Sequence, residues 1–314
     1  MECGASQGAM ASSRRAAPPS VATMLRGAGR WLNGRLEATP PCAQMNPSLL
    51  TPDLLAPGDQ KSRGFDPAQF TWTRIRSVED SLFESAYNAL WAEFGASNEM
   101  ETRDVLAGRF KPNPAMRYEM VLAQKEALIA AIRDQTAIWF EGEVVVHLSH
   151  LLVAPEWRRS GLAGWMRAAS IITAHELASE HNHPDAAITL VGEMEFDDGS
   201  DPRRTVRLAA YERAGFLRID PAAVRYFQPD FRPPASIDAG DGPRPLPFQL
   251  IVRQVGRESD RTIRGARARR LVRALYAMYS AQFRPQDMAH PSLSLADYPA
   301  DNTEVALLAP TAVA

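Results

Sequence analysis

Cysteine is nearly missing from this chain of 314 residues, where only Cys3 and Cys42 occur. From residue 43 onward there is no thiol. That excludes a disulfide framework, a cysteine-rich zinc site and a cysteine nucleophile in the part expected to fold. An excess of charge is missing too. Lysine plus arginine number 35 against 37 aspartate plus glutamate, a formal net charge of −2, so no global field points to nucleic acid or to a membrane surface. No apolar run reaches the length needed to cross a bilayer. The first 65 residues lack hydrophobic periodicity and nearly lack carboxylates, with only Glu2, Glu37, Asp53 and Asp59. Alanine, proline, serine, glycine and arginine dominate there, and residues 1–65 read as a disordered N-terminal tail. Arg14, Arg15, Arg26, Arg30 and Arg35 lend it a transit-peptide flavour. No apolar region follows Arg14-Arg15, as a twin-arginine signal requires. The plainer expectation is an unstructured tail, or a true start at Met24 or Met45.

What is present is hydrophobic patterning: 45% of residues are hydrophobic, enough for one large core or two small ones. Residues 70–77 alternate as a strand. Leu82, Phe83, Ala86, Leu90 and Phe94 form a helical stripe that Gly95 ends. A short helix over 99–110 precedes three strands, 117–124, 127–139 and 144–153, joined by turn-like breaks into an antiparallel meander. Leu162, Trp165, Met166, Ala169 and Ile172 mark a helix over 161–182. His181-Asn182-His183-Pro184 reads as a solvated turn, because no carboxylate or thiol set accompanies the two histidines. Residues 186–196 form another buried strand. Asp201 is placed as N-cap and Pro202 as first residue of a helix that Gly215 closes. Residues 224–228 and 248–255 are candidate final strands joined by a proline-rich connector. Beyond them Arg257, Arg261, Arg264, Arg267 and Arg270 lie on one helical face, with Arg269 and Arg273 nearby. That stripe reads as a solvated face whose other side, Ile263, Ala266, Leu271 and Leu275, packs on the domain. From Pro285 an extended, partly ordered tail is expected.

The chain is organised around residues 147–169. A Val- and Leu-rich strand runs into Arg158-Arg159-Ser160-Gly161-Leu162-Ala163, and a helix follows. Free backbone N–H groups at a helix start, an outward dipole and two guanidinium groups make an anion site. Gly161 lets the anion approach the backbone. Arg158-x-x-Gly161-x-Ala163 matches the Q/R-x-x-G-x-G/A signature of the GNAT superfamily of acyl-CoA-dependent N-acyltransferases. Tyr211-Glu212-Arg213-Ala214-Gly215-Phe216 matches its Y-x-x-x-G-F. With the strand before, the helix after and both motifs in order, the chain resembles that superfamily.

The resemblance implies an α/β fold, a GNAT-type mixed, mainly antiparallel twisted sheet flanked by helices. It would span residues 66–256, between the tail and a C-terminal helix and tail over 257–314. It implies acetyl-CoA as co-substrate, with no metal. The pyrophosphate would sit on Arg158, Arg159, Ser160, Gly161, Leu162 and Ala163, and the pantetheine arm along Leu151, Leu152 and Val153. The implied activity is N-acetylation of a primary amine in a ternary complex, direct because the expected domain offers no thiol. The expected setting is cytoplasmic, without nucleic acid or membrane. The other reading is a non-catalytic acyl-CoA-binding or interaction module on the same fold. A third is a longer-chain acyltransferase.

Tyr211 occupies the position where the family often carries its general acid. A phenol with a reference pKa near ~10 is protonated at neutral pH and can donate to a leaving thiolate. The base stays open. His147 lies at the offset where arylalkylamine N-acetyltransferases carry the first of two histidines and histone-type relatives a glutamate. The second-histidine position here is Ser149. His150 is off by one and faces the other side of a regular strand, unless a bulge intervenes. Glu193 and Glu195 are expected to share a face of the neighbouring strand, as rival bases or, for Glu193, as a binder of a cationic amine.

Overall fold

The computed structural model describes residues 43–97 and 99–312. Cys3, Cys42 and residues 1–42 of the expected tail lie outside the described residues. The strands are β1 (Ala43–Met45), β2 (Thr71–Ile75), β3 (Met116–Lys125), β4 (Leu128–Phe140), β5 (Glu143–Val153), β6 (Ile188–Met194), β7 (Leu217–Ile219), β8 (Tyr226–Gln228), β9 (Leu246–Gln254), β10 (Thr262–Arg264) and β11 (Glu304–Leu308). The helices are α1 (Gln60–Arg63), α2 (Phe83–Phe94), α3 (Arg103–Arg109), α4 (Leu162–Glu180), α5 (Pro202–Arg213), α6 (Pro234–Asp238), α7 (Gly265–Ser280) and α8 (Pro285–Leu293). All strands join one sheet in the order β1-β2-β3-β4-β5-β6-β9-β7-β11-β10, with β8 paired to β9 off that path. The β5–β6 pair is parallel and the others are antiparallel. The mixed, mainly antiparallel α/β architecture is the expected one.

Alternating side chains sort onto the two faces of this sheet. Val144, Val146 and Leu148 of β5 pack under α4 and α5 with Ile171, Ala174, Leu208 and Tyr211. Met120, Leu122 and Ile132 turn the other way, onto Phe83 and Leu90 of α2 and Leu106 of α3. Val145 and Val191 meet Leu271, Val272 and Leu275 of α7 on that same side. Helix α4 is therefore central: its Leu162, Trp165, Met166 and Ala169 contact a further cluster with Trp72, Val121 and Ala131.

Two boundaries move. Residues 43–65 are not a tail. Met45, Leu50 and Leu55 are buried against α4 and β2, and β1 pairs with β2 from Ala43↔Arg74 to Met45↔Trp72. The segment folds by short capped turns: Asn46 and Asp66 accept from backbone N–H groups two residues on, each followed by a proline. Nor is 257–314 an appendage. β10 and β11 extend the sheet, and the stretch expected to be extended after Pro285 contains α8 and β11. Of the expected arginine stripe, Arg257, Arg261 and Arg264 precede the helix that starts at Gly265 and are exposed, whereas on the helix Arg270 and Arg273 pair with Glu141, Arg267 and Arg270 with Glu143, and Arg269 with Asp301. His181 and His183 stack on Trp139 at 4.7 and 5.3 Å between ring centres. Among the described residues, no group of three or more His, Cys, Asp or Glu is placed to hold a metal, and no helix is long and apolar enough to cross a membrane.

The burial of residues 43–65 is testable. Leu55→Ala, at a side chain 3% exposed, should destabilise the protein by about 2–5 kcal/mol in urea unfolding, the range for truncating a buried leucine. No change in the unfolding midpoint would mean that this segment contributes nothing to the core.

Candidate active site

The site begins with a fault in strand register. β4 and β5 pair regularly up to Gln135↔Leu148 and resume at Arg133↔Leu151. Asp134 thus faces two residues, Ser149 and His150, and the extra residue makes a β-bulge. Before the bulge, odd-numbered residues of β5 face α7. After it, even-numbered residues take that side: Leu152 joins the α2–α3 cluster while Leu151 and Val153 face α4. His150 therefore shares a face with His147, which a regular strand would forbid. Parallel pairing of β5 with β6 runs only from Val144↔Ile188 to His147↔Val191. Beyond that point the two strands part.

A cavity of about 220 Å³ lies in this opening. Its walls include Ser149, His150 and Leu151 of β5, Glu193 and Met194 of β6, Ala163 and Arg167 of α4, and Tyr211 of α5. Glu99 and Phe94 close it from the α2–α3 side, and Phe231 and Phe248 from the C-terminal part.

Tyr211 is buried, with Phe216 edge-on at 5.0 Å and the Arg167 guanidinium 5.5 Å from its ring centre. Burial pushes its phenol up, yet Arg133 and Arg167 outweigh burial and hold its pKa below the ordinary tyrosine value. Those cations favour the phenolate that remains once a proton has been given away. Arg133 is fully buried, and its guanidinium makes no hydrogen bond of good geometry among the described residues, its polar partner being the Tyr211 hydroxyl, whose pKa it helps to lower.

On the opposite face lie two imidazole–carboxylate pairs. The first was not foreseen. Asp134 accepts from the His150 backbone N–H at 2.7 Å and lies 3.1 Å from its Nδ1, while His150 Nε2 sits 2.9 Å from the Glu99 carbonyl oxygen. Burial opposes charge on His150, but the Asp134 carboxylate and the Glu99 carbonyl prevail and raise its pKa to about 9. A cation with both ring nitrogens committed is a poor proton acceptor at neutral pH.

The second pair is His147–Glu193. Glu193 accepts from the Tyr226 hydroxyl, from Tyr279 Oη at 2.8 Å and from Gln228 Nε2 at 2.8 Å. Burial pushes this carboxyl up, but His147 and the Tyr226 and Gln228 donors bring it down to about 2. So stabilised an anion is a weak base. His147 Nε2 lies 3.3 Å from Glu193 Oε2, at ion-pair distance but off the line of a hydrogen bond. Its Nδ1 lies 3.2 Å from Ser149 Oγ. His147 is therefore one layer below the cavity and Ser149 stands between. β6 ends at Met194, and Glu195 turns to α5 to pair with Arg204 at 2.8 Å and Arg207 at 2.7 Å. It lines the same cavity as Glu193, but with its carboxylate already held by these two arginines.

The loop before α4 has the expected turn but not an open surface. Ser160 Oγ accepts from the Leu162 N–H at 3.2 Å. Arg159 and Gly161 both adopt left-handed backbone, with φ of 62° and 108°. The Arg158 side chain folds back to donate to the Val153 carbonyl at 3.1 Å. A Cβ at Gly161 would stand 2.7 Å from the Lys61 carbonyl oxygen. In this structure the close approach that Gly161 allows is made by the chain's own residues 61 and 62.

No family model matches the sequence, and no curated protein matches it. Solved structures that resemble it include a tandem GNAT protein from the clavulanic acid biosynthesis pathway, 20% identical over 51% of this chain and 46% of that one, at a TM-score of 0.34. A GNAT family acetyltransferase from Elizabethkingia anophelis with acetyl-CoA bound is 14% identical over 49% of this chain and 83% of that one, at 0.30. An acyl-CoA N-acyltransferase from Pseudomonas aeruginosa is 17% identical over 59% and 99%, at 0.33. This chain thus spans less than half of the tandem protein. The solved structures it resembles are GNAT acetyltransferases, and its functional reading rests on its own residues.

The His150–Asp134 pair gives a pH signature. The folded His150 pKa of about 9 lies above the free value of 6.5, so the pair's contribution is complete below pH 6.5 and is lost as pH rises towards 9. The stability difference between wild type and His150→Gln should shrink by on the order of 3 kcal/mol between pH 6 and 9. A difference that stays constant across that range would show that His150 is not held as a cation.

Proposed function

We propose that the protein is an N-acyltransferase that moves an acetyl group from acetyl-CoA to a primary amine in a ternary complex. The observation that carries this is the parting of β5 from β6 after His147 and Val191. It leaves a strand edge over residues 149–153 where a pantetheine arm could pair, between a tyrosine on one face and a histidine–carboxylate pair on the other. The acyl-CoA would lie with its pyrophosphate at the loop of Arg158, Arg159, Ser160, Gly161, Leu162 and Ala163 and its pantetheine along Leu151, Leu152 and Val153. Its thioester would stand near Tyr211.

In the reaction the amine nitrogen forms a bond to the thioester carbonyl carbon and the carbon–sulfur bond breaks. The proton leaving nitrogen passes to Ser149 Oγ, whose own proton goes to His147 Nδ1. Glu193, anionic beside Nε2, stabilises the imidazolium. Tyr211 gives its proton to the departing thiolate, and Arg133 and Arg167 stabilise the phenolate left behind. Glu193 is thereby an orienting anion rather than the base. The other reading, a module that binds acyl-CoA without turnover, draws on the covering of the loop by residues 61 and 62.

A screen of acetyl-CoA consumption against amine pools tests the assignment. Tyr211→Phe should lower turnover by roughly 10²–10⁴ with little change in coenzyme A affinity. His147→Gln should lower turnover by roughly 10²–10⁴ because the terminal proton acceptor is lost, and Glu193→Gln should lower it less, because the acceptor stays and only its orienting anion goes. If His147→Gln keeps its turnover and Glu193→Gln loses it, the carboxylate is the base. Tight binding of acetyl-CoA with no consumption by any amine would favour the module.

A further inference from the structure

Residues 57–65 cross the start of α4. The crossing is a fitted contact. Trp165 Nε1 donates to the carbonyl oxygens of Ser62 and Phe65 at 2.8 and 3.0 Å. A Cβ on Gly164 would overlap the Ser62 hydroxyl and stand 2.7 Å from Asp59 Oδ2. Asp59 caps α1 by accepting from the Ser62 N–H at 3.2 Å, and its other oxygen lies 3.4 Å from Arg167 Nη2. A carboxylate thus rests at the N-terminal end of a 19-residue helix, beside a buried arginine. Anions are stabilised at such a place.

We propose that residues 57–65 form an autoinhibitory strap, with Asp59 standing in for the pyrophosphate of coenzyme A. The proposal rests on the reading that acyl-CoA binds at this loop. Three features fit a strap that can lift. Leu55 and Ala56 anchor it on one side and Phe70 on the other, all buried, whereas Gln60, Lys61, Arg63 and Gly64 are exposed. Pro57-Gly58 and Gly64 bracket α1, which is only four residues long. The internal anion is also incomplete: it brings one carboxylate, which lies 3.4 Å from Arg167 Nη2. A pyrophosphate brings more charge to the same helix end and competes with the strap once its concentration suffices. Pantetheine lacks the pyrophosphate and has no reason to displace it.

The test uses the full chain with coenzyme A and pantetheine as probes. Affinity is measured by calorimetry, and tryptic cleavage after Lys61 and Arg63 is followed by mass spectrometry. Coenzyme A should accelerate cleavage at both sites and pantetheine should not. Asp59→Ala, which weakens the strap's hold, should raise coenzyme A affinity about tenfold by enlarging the competent fraction. If coenzyme A binds while both sites stay protected and Asp59→Ala leaves the affinity unchanged, the strap is overturned and the acyl-CoA reading stands. If neither wild type nor Asp59→Ala binds coenzyme A, both are overturned.

Discussion

The site depends on one constraint, that Asp134 of β4 faces two residues of β5. A regular ladder would place Ser149 and His150 on opposite faces and continue the flat pairing. The additional residue bends β5, and the parallel pairing with β6 ends at His147↔Val191. The opening between the strands follows from that divergence. Asp134 holds the bulge by accepting from the His150 backbone N–H and from its ring. One carboxylate thus meets the donors that the irregular backbone leaves unpaired, inside a core where an unmet donor is costly.

The electrostatics on the two sides of the opening differ in kind. Towards α7 and α3 the charges are paired: His150 with Asp134, Glu193 with His147 and three neutral donors, Arg109 with Glu101. Towards α4 and α5 cations gather around Tyr211, where Arg133 and Arg167 together hold its phenol below the ordinary value. A proton acceptor wants an anion to steady its charged form, and a proton donor wants cations to steady its conjugate base. The distribution fits a transfer in which a proton is lost on one face and gained on the other.

Much of this was legible because it is local. The strand–loop–helix around Gly161, the Asp201-Pro202 helix start and the closing Gly215 each carry their signal within a few residues. The bulge stood only as an alternative for His150, since it is a mismatch between two strands and its partner Asp134 does not announce it. Ser149, two residues from His147 and so on its face in any strand, was within reach of the sequence, but only as a missing second histidine and not for its hydroxyl. Residues 43–65 were missed because their apolar residues are spent singly, with no period to detect. A signal was there in Asn46-Pro47 and Asp66-Pro67, the cap-plus-proline pattern that marked Asp201-Pro202. Glu195 lines the same cavity as Glu193, but its pairing with Arg204 and Arg207 of α5 is a contact between elements that the strand's own residues do not announce.

The central claim is that the β5–β6 opening receives an acyl-CoA with its sulfur beside Tyr211. A crystal structure of the protein with coenzyme A measures this directly. The account predicts the pantetheine arm along residues 149–153 of β5, with the sulfur within about 3.5 Å of the Tyr211 hydroxyl, a reacting distance. Coenzyme A bound elsewhere, or seated in the opening with its sulfur turned away from Tyr211, would contradict it.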